Sequence, residues 1–303
     1  MRHATCRLLG ALGVVWAVVT AVFVALQALP GGPARALLGP RATPAQIRVF
    51  ELAWGLDRPW WVQYAAWWVH AWHGDLGVSY ATGQPVAQVL LLAAPRTLAL
   101  AGLALGGGLA AGIAVALWQA ARAGSRGDRA TAALLGALYA APPYWVGLGL
   151  ILWLAEDWRV LPAGGDQPGA VVLPAVTLAL PVAAAVARYL RNSVGTLPAE
   201  PWWRAARSRG LSAGRLWWRH GLRHGAAPVI LCVGWLAPQL VGGSVIVEAL
   251  YNYPGIGWVL WQAALDRDVP VLLGGSALVA VFTTVTGALA DLAAALVDRR
   301  LRR

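Results

Sequence analysis

The sequence contains no lysine, because all 24 basic side chains among its 303 residues are arginine. A phosphate-binding loop of the type Gly-x-x-x-x-Gly-Lys-Ser/Thr is therefore impossible, and we expect no ATP hydrolysis by this chain. Cysteine is nearly absent as well: Cys6 and Cys232 stand far apart, without a Cys-x-x-Cys spacing. Neither a disulfide framework nor a thiolate metal site is indicated.

Charged residues are also scarce. They make up 12% of the chain, against about 25% in an ordinary soluble domain. Hydrophobic residues reach 59%, and the mean hydropathy is +0.60, which excludes a purely soluble fold. The net charge of +11 does not point to nucleic acid, because the arginines cluster between long apolar runs, as they do in the cytoplasmic loops of membrane proteins.

Six segments are long and apolar enough to cross a bilayer. They are residues 8–29, 97–118, 130–154, 171–190, 228–247 and 271–297. The first could be mistaken for a signal peptide, but the apolar part of a signal peptide is only about 7–15 residues long. The sequence therefore predicts an all-α integral membrane fold with about six transmembrane helices and a retained first helix.

The arginines also predict the orientation, because arginine is retained on the cytoplasmic side of a membrane. They concentrate in the loops after the second and fourth spans and in the tail, residues 298–303. Both termini are then cytoplasmic. Residues 30–94 form a long outer segment, with amphipathic stretches such as 46–56. Its tryptophans, Trp60, Trp61, Trp67, Trp68 and Trp72, suit an interfacial aromatic belt better than direct contact with a substrate.

Ionisable residues avoid the middle of the spans, since Arg96, Arg188 and Asp291 all fall near predicted ends. This disfavours an ion-coupled secondary transporter, which usually needs such a group near the midplane. An intramembrane enzyme is disfavoured too, because the carboxylates nearest the hydrocarbon, Glu248 and Asp291, belong to opposite faces. Small residues fill the spans instead, at 106–108, 112 and 242–243, and they permit close helix approach.

The loop between the fourth and fifth spans has a helix-turn-helix pattern. Ala205, Ala206 and Arg207 suit a short helix, Gly210 suits its end with a positive φ, and Ser212 suits the start of a second helix. A short surface helix with small side chains on one side and basic side chains on the other is suited to docking in a partner's groove. The alternative is an amphipathic hairpin held against lipid.

This loop resembles the coupling loop of ABC-importer permeases, whose pattern is Glu-Ala-Ala, three residues, Gly, and later an apolar-Pro pair. Arg204-Ala205-Ala206, Gly210 and Ala227-Pro228 have that spacing, with Arg204 in place of the glutamate. Further segments are similar to first-subunit permeases of the peptide/nickel branch. They are Gly55-Leu56-Asp57-Arg58-Pro59, Gly74-Asp75-Leu76-Gly77, Leu161-Pro162-Ala163-Gly164-Gly165 and the segment EALYNYPGIG at 248–257.

The resemblance implies a type I ABC-importer permease in the bacterial inner membrane: a half-channel paired with a second permease, two cytoplasmic ATPases and an external substrate-binding protein. It implies import of di- or oligopeptides, or alternatively of nickel or a nickel chelate. No cofactor is expected on this chain, since ATP would be used by the partner subunits. The corresponding segments are residues 1–29 (first helix), 30–94 (outer segment), 95–297 (transmembrane core with a coupling loop at about 198–224) and 298–303 (basic tail).

The resemblance also implies an ATPase interface, and the residues suggest two further sites. The predicted interface is Arg204, Ala205, Ala206, Arg207, Gly210 and Leu211. Glu248, Pro254, Gly255 and Gly257 could form an outer gate, a short re-entrant helix or simply a turn. Pro142, Pro143, Pro174 and Pro181 are predicted to break the third and fourth spans and to line the pore there.

Two histidine pairs have helical spacing, His70 with His73 and His220 with His224. Each pair lacks a third ligand, and two imidazoles alone make a weak metal site. We therefore predict no metal centre. Asp75 is expected to form a turn at the end of an outer helix, although contact with the binding protein is the alternative.

Overall fold

The structure is a computed structural model that describes residues 2–297; the side chains at 2–8, 213, 219, 224, 227 and 293–297 lie outside the description. Within the described part the chain is helical, apart from turns and one isolated antiparallel bridge between Val78 and Pro85. In chain order, its α-helices are α1 Arg2–Ala28, α2 Gly32–Leu38, α3 Pro44–Trp54, α4 Trp60–Trp72, α5 Val86–Ala121, α6 Arg126–Ala140, α7 Pro143–Leu150, α8 Val172–Val194, α9 Pro201–Ser208, α10 Ala213–Leu216, α11 Leu222–Leu250, α12 Ile256–Asp266 and α13 Val269–Val297.

Five of these helices are long and apolar enough to cross a membrane, namely α1, α5, α8, α11 and α13. A sixth candidate is the pair formed by α6 and by α7 with its π-helical extension Ile151–Asp157, which are bent by 106° at their junction. The prediction of about six spans is confirmed, but the third is not a straight rod. The predicted break at Pro142 and Pro143 causes the bend, because a proline removes a helical N–H and its ring blocks the preceding turn.

The prediction that Pro174 and Pro181 also break a helix is wrong, because α8 runs through both. Pro174 is the third residue of α8, where the backbone N–H has no intrahelical partner in any case. Pro181 lies inside the helix and removes one backbone hydrogen bond, which membrane helices tolerate when neighbouring groups compensate. Pro174 is buried and Pro181 is half-buried, whereas Pro142 and Pro143 are exposed.

The second span is longer than predicted. The expected start was residue 97, but α5 begins at Val86 and passes through Pro95 and Arg96. Pro95 lies within α5 without ending it. Pro228 and Pro238 lie within α11 in the same way.

The described residues form two compact units. Unit 1 contains residues 2–97 and Pro254–Thr284, and unit 2 contains Leu98–Tyr253 and residues 285–297. In unit 1, α5 packs on α12 and α13 through Leu90, Ile256 and Leu272. A second cluster joins Phe23 of α1 to Leu273 of α13, and the aromatic side chains of α4 pack against it.

The outer segment of unit 1 matches the predicted amphipathic helices. α3 covers most of the predicted stretch 46–56 and begins with a capping box between Thr43 and Gln46. The turn before α5 is fixed by the buried carboxylate of Asp268, which accepts hydrogen bonds from Ser79 Oγ at 2.5 Å and from the Ala81 N–H at 3.2 Å. Burial, and secondarily the Asp268 charge, raise the pKa of Tyr80 to about 12.

Unit 2 is built around α8, whose buried residues pack on α5, α6, α7 and α11. Two of the predicted small residues provide close approach. A Cβ at Gly108 would lie 2.7 Å from Val182 Cβ, and one at Gly112 would lie 2.7 Å from the Ala183 carbonyl oxygen. The other small residues singled out, Gly106, Gly107, Gly242 and Gly243, have no such neighbour among the described residues.

Candidate functional site

The loop between the fourth and fifth spans has the predicted helix-turn-helix form. α9 spans eight residues, starts with Pro201 and ends just before Gly210, which has a φ of +83°. That conformation favours glycine because it has no Cβ. The carbonyl of Ser212 accepts a hydrogen bond from the Leu216 N–H at 3.0 Å, so Ser212 stands at the start of the second helix, as predicted.

One face of α9 is anchored inside unit 2 by tryptophan. Trp203 is only 4% exposed, and its ring centroid lies 4.6 Å from that of the buried Trp217. Trp202 packs beside it and beside His220, with centroid distances of 5.5 and 5.8 Å. Trp203 is therefore covered by the chain itself, and the short helix is held in place without a partner protein.

Other side chains of α9 and of the turn after it are exposed, and two of those on α9 are basic. Arg204, Ala205, Arg207 and Gly210 are exposed, whereas Ala206 and Leu211 are half-buried and pack on the core of unit 2. Arg204 Nη2 donates to the Ala199 carbonyl at 3.2 Å. The six residues predicted for the ATPase interface thus divide into four that a partner can touch and two that hold the helix in place.

The turn after α9 leads into the fifth span without a break. α10 passes through a π-helical segment, Trp217–Gly221, directly into α11. At the base of α11, Gly225 packs so tightly on Leu190 of α8 that a Cβ at this position would overlap the leucine side chain. α10, the π-helical segment and α11 therefore form one helical path from Ala213 to Leu250.

Two of the motifs named above meet at the far end of that path. The Tyr251 carbonyl accepts a hydrogen bond from the Gly165 N–H at 3.0 Å, and a Cβ at Gly164 would overlap the same carbonyl. The buried Tyr251 hydroxyl donates to the Gly147 carbonyl at 3.0 Å and lies 2.8 Å from Thr177 Oγ1. Tyr251 thus joins α7, α8 and the loop that follows the third span.

The residues proposed for the outer gate lie on either side of this tyrosine in the chain. Glu248 is fully buried near the end of α11. Pro254 is half-buried and lies between α11 and α12, while Gly255 and Gly257 are buried at the start of α12. The Ile256 N–H, the first of α12, donates to Thr97 Oγ1 at 2.8 Å. At about 1.5 Å per residue, the 11 residues of α12 reach only halfway through a bilayer.

The histidines are engaged locally. His70 Nδ1 lies 3.3 Å from Asp75 Oδ2, and His73 Nδ1 lies 2.8 Å from the Val69 carbonyl. Asp75 Oδ1 accepts from the Gly77 N–H at 2.9 Å, which is the predicted turn. The side chain of His224 lies outside the described residues. Among those that are described, no three His, Cys, Asp or Glu side chains form a metal-binding group.

Two family models together match nearly the whole sequence. Residues 108–303 match the "binding-protein-dependent transport system inner membrane component", and residues 1–101 match the N-terminal part of the same kind of membrane component. The chain belongs to the binding-protein-dependent transport system inner membrane component family. It is a permease subunit, and members of such a family are not themselves enzymes.

Curated relatives resemble the permease over most of its length. The oligopeptide transport system permease protein AppB of Bacillus subtilis is 30% identical, covering 97% of both chains. A probable peptide ABC transporter permease of Sinorhizobium fredii is 31% identical, covering 98% of this chain and 97% of its own. The glutathione transport system permease protein GsiC of Salmonella typhimurium is 32% identical, covering 90% of this chain and 89% of its own.

Solved structures share the fold at lower identity. The MetNI methionine ABC transporter, in inward-facing conformations, matches with a TM-score of 0.55 and 18% identity, covering 70% of the permease and 98% of its own chain. An amino acid ABC transporter solved with histidines matches with a TM-score of 0.54 and 17% identity, covering 71% of the permease and 94% of its own chain. The type I importer fold is confirmed by these matches.

Sequence reasoning missed three residues that organise the permease. Trp203, Gly225 and Tyr251 each make close contacts with residues distant in the chain. Trp203 has a local signal only in its large apolar ring, which favours burial. The partners of Gly225 and Tyr251 have no local signal, because their contacts depend on how separate helices pack.

Proposed function

We propose that the permease imports peptides and that α9 is the element through which ATPase subunits drive it. The observation that carries the proposal is that α9 buries Trp203 while the side chains of Arg204 and Arg207 are exposed. A docking element has to offer a free surface while remaining rigidly attached to the part that it moves. The Glu-Ala-Ala-like spacing and the family membership support the same assignment.

The coupling path follows from the helical connection between α9 and the far end of α11. A force on α9 reaches α10 through the short turn at Gly210, and then α11 through continuous helix. The tight contact of Gly225 with Leu190 makes α8 move with the base of α11. At the other end, Glu248 and Tyr251 would change position relative to the channel, which is where we propose the outer gate. Pro142 and Pro143 are exposed and remain our proposed pore-lining residues.

Peptide cargo is supported by the relatives, whose names specify oligopeptides, peptides and glutathione, itself a tripeptide. Within unit 2, Tyr144 and Trp145 are exposed, and aromatic surfaces of this kind can accept the varied side chains of peptides. A nickel chelate remains the alternative cargo. A second permease and an external binding protein would complete the channel.

The docking proposal is tested by copurification. We expect wild-type permease, tagged and extracted in mild detergent, to retain ATPase subunits that are identified by their phosphate-loop peptides. Ala205→Trp adds bulk to the exposed face, and Gly210→Trp adds both bulk and backbone strain at a positive φ. Either substitution should reduce the retained ATPase at least tenfold.

Ala163→Trp is the matched control, because Ala163 is also exposed but belongs to the loop assigned to the outer face. Membrane insertion and yield should be equal for all variants. If Ala205→Trp retains as much ATPase as the control, α9 is not the docking element. If no ATPase accompanies even the wild type, the proposed coupling itself fails.

The cargo is tested in a strain that lacks the permease and is auxotrophic for one amino acid. Complementation should restore growth on di- and tripeptides containing that amino acid, and should leave growth on the free amino acid unchanged. Nickel-dependent enzyme activity in low-nickel medium is the parallel measurement. Restoration of that activity without restored peptide use would favour the nickel alternative.

A further inference from the structure

A cleft between α6 and α8 of unit 2 contains the two arginines of the fourth span. It has a volume of about 310 Å³, room for about ten water molecules at roughly 30 Å³ each. Arg188 and Arg191 line it together with Gln119 and Asn192. The cleft lies on the side that the arginine distribution assigns to the cytoplasm, since Arg191 is in the last turn of α8.

The two arginines have different partners. Arg191 Nη2 lies 2.7 Å from Asp128 Oδ2, and Asp128 is only 1% exposed. The same carboxylate oxygen accepts from the Gly124 N–H at 3.0 Å, so it fixes the loop between α5 and α6 and aims Arg191 at the cleft. Arg188 instead lies over the ring of Tyr139, 5.3 Å from its centroid, and no carboxylate partner is found for it among the described residues.

The surroundings carry a positive excess. The loop before α6 and its first turn add Arg122, Arg126 and Arg129, and Asp128, already paired, is the acidic residue of that segment. An arginine within a membrane span is costly unless it meets a counter-charge. Arg188 belongs to the apolar stretch 172–199 that can span the membrane, and its side chain is exposed. An anion from outside the chain would supply the missing charge.

Apart from Tyr139, the remaining lining of the cleft is aliphatic, and most of it is small. Ala132 and Gly136 of α6 face Ala184 of α8, and a Cβ at Gly136 would meet no heavy atom within 4 Å. Guanidinium and amide donors therefore lie next to an open apolar slot. A peptide would need an acceptor for its ammonium group, and none of the nine described lining residues is acidic. This combination fits an acidic headgroup attached to a hydrocarbon chain. Basic pockets between membrane helices on the cytoplasmic side bind anionic lipid headgroups in the same way.

We propose that this cleft binds the phosphate of an anionic phospholipid, with Arg188 and Arg191 on the phosphate and the acyl chain along Gly136. Arginine forks suit phosphate oxygens. The proposal is independent of the cargo and of the docking role of α9. The lipid would hold α6 against α8, and so would stabilise the segment that leads to the bend at Pro142.

The test uses the full-length chain in an uncharged detergent and measures its thermal unfolding midpoint and the number of bound lipids by native mass spectrometry. The additions are phosphatidylglycerol, phosphatidylcholine with the same acyl chains, inorganic phosphate and a short peptide. Phosphatidylglycerol should raise the midpoint and remain bound, and the other three should do neither. Arg188→Gln removes the charge, and Gly136→Leu fills the slot without removing any charge.

Each of these two variants should raise the phosphatidylglycerol concentration for half-maximal effect at least tenfold. Arg126→Gln is the control, because it removes an exposed arginine of the same face that does not line the cleft, and it should behave as the wild type. Equal weakening by Arg126→Gln, or an equal effect of phosphatidylcholine, would overturn the proposal. A midpoint raised as much by inorganic phosphate or by the peptide would also overturn it, in favour of a free anion or of cargo.

Discussion

At the residue scale, the hydroxyl of Tyr251 links α7 to α8 in unit 2. It is buried and bonded to the Gly147 carbonyl beside Thr177. In Tyr251→Phe both partners keep another bond, because Gly147 still accepts from the Ile151 N–H and Thr177 still donates to the Leu173 carbonyl. The expected loss is therefore that of the hydrogen bonds themselves, about 0.5–1.5 kcal/mol each. We expect a lower thermal unfolding midpoint in detergent and reduced transport, since Tyr251 ends the path from α9.

Tyr189→Phe is the matched control, because Tyr189 belongs to α8 of the same unit but is 45% exposed. It should leave the midpoint unchanged. Equal midpoints for wild type and Tyr251→Phe would mean that the hydroxyl contributes nothing to the packing of α7, α8 and α11.

Residues with a local signal were predictable and residues with only distant partners were not. The positive φ of Gly210 and the helix start at Ser212 follow from short-range backbone rules, and both are confirmed. The contact of Gly164 with Tyr251 joins positions 87 residues apart, and both motifs were noticed in the sequence without any indication that they touch. Pairing of separate helices depends on side-chain shape, which periodicity does not encode.

At the element scale, the crossing of α5 and α8 depends on Gly112. Its Cα approaches Ala183 and Val186 so closely that any side chain would displace one of the helices. Helix association in a membrane relies on such close packing. Gly112→Val should therefore lower the unfolding midpoint strongly and lower the yield of inserted protein.

Gly106→Val tests the same helix with the same substitution, because no heavy atom lies within 4 Å of a Cβ built at Gly106. Gly106→Val should be close to neutral because its side chain meets no neighbour. Since both substitutions add the same β-branched side chain to the same helix, a difference in stability between them reports the α5–α8 contact. If the two variants are equally stable, the α5–α8 contact is not set by the glycine.

The attachment of α9 is a second prediction for an element. Trp203→Ala removes a buried aromatic side chain, a change that typically costs about 3–5 kcal/mol in a core. Here the loss should be local: faster hydrogen exchange at residues 201–208 and loss of ATPase copurification, with the membrane helices intact. Trp218→Ala removes a tryptophan that is 61% exposed, and it should change neither measurement.

Elements were predictable from composition, but their ends and bends were less so. The apolar runs indicated each membrane helix, yet α5 extends eleven residues before the predicted start at 97, because Pro95 does not end a helix whose other backbone bonds are intact. The same overestimate of proline made Pro174 and Pro181 appear to break α8. Two consecutive prolines, at 142 and 143, do end a helix.

At the scale of the whole molecule, coupling to cytoplasmic ATPases requires that α9 lie on the cytoplasmic side of the membrane. Six arginines lie between residues 198 and 224, whereas the loops at 155–171 and 251–268 contain one each. Because arginine-rich loops stay in the cytoplasm, Ser208 of α9 should be inside and Ala163 outside. Both side chains are exposed, so both are accessible to a reagent on the correct side.

The measurement starts from a permease with Cys6 and Cys232 replaced by alanine, which removes both native thiols. A membrane-impermeant maleimide added to intact spheroplasts should label Ala163→Cys and leave Ser208→Cys unlabelled. After permeabilisation both should react, which shows that Ser208→Cys is accessible and was protected by the membrane. The reverse pattern would place α9 outside the cell, where no ATP is available, and the coupling of α9 to cytoplasmic ATPases would be impossible.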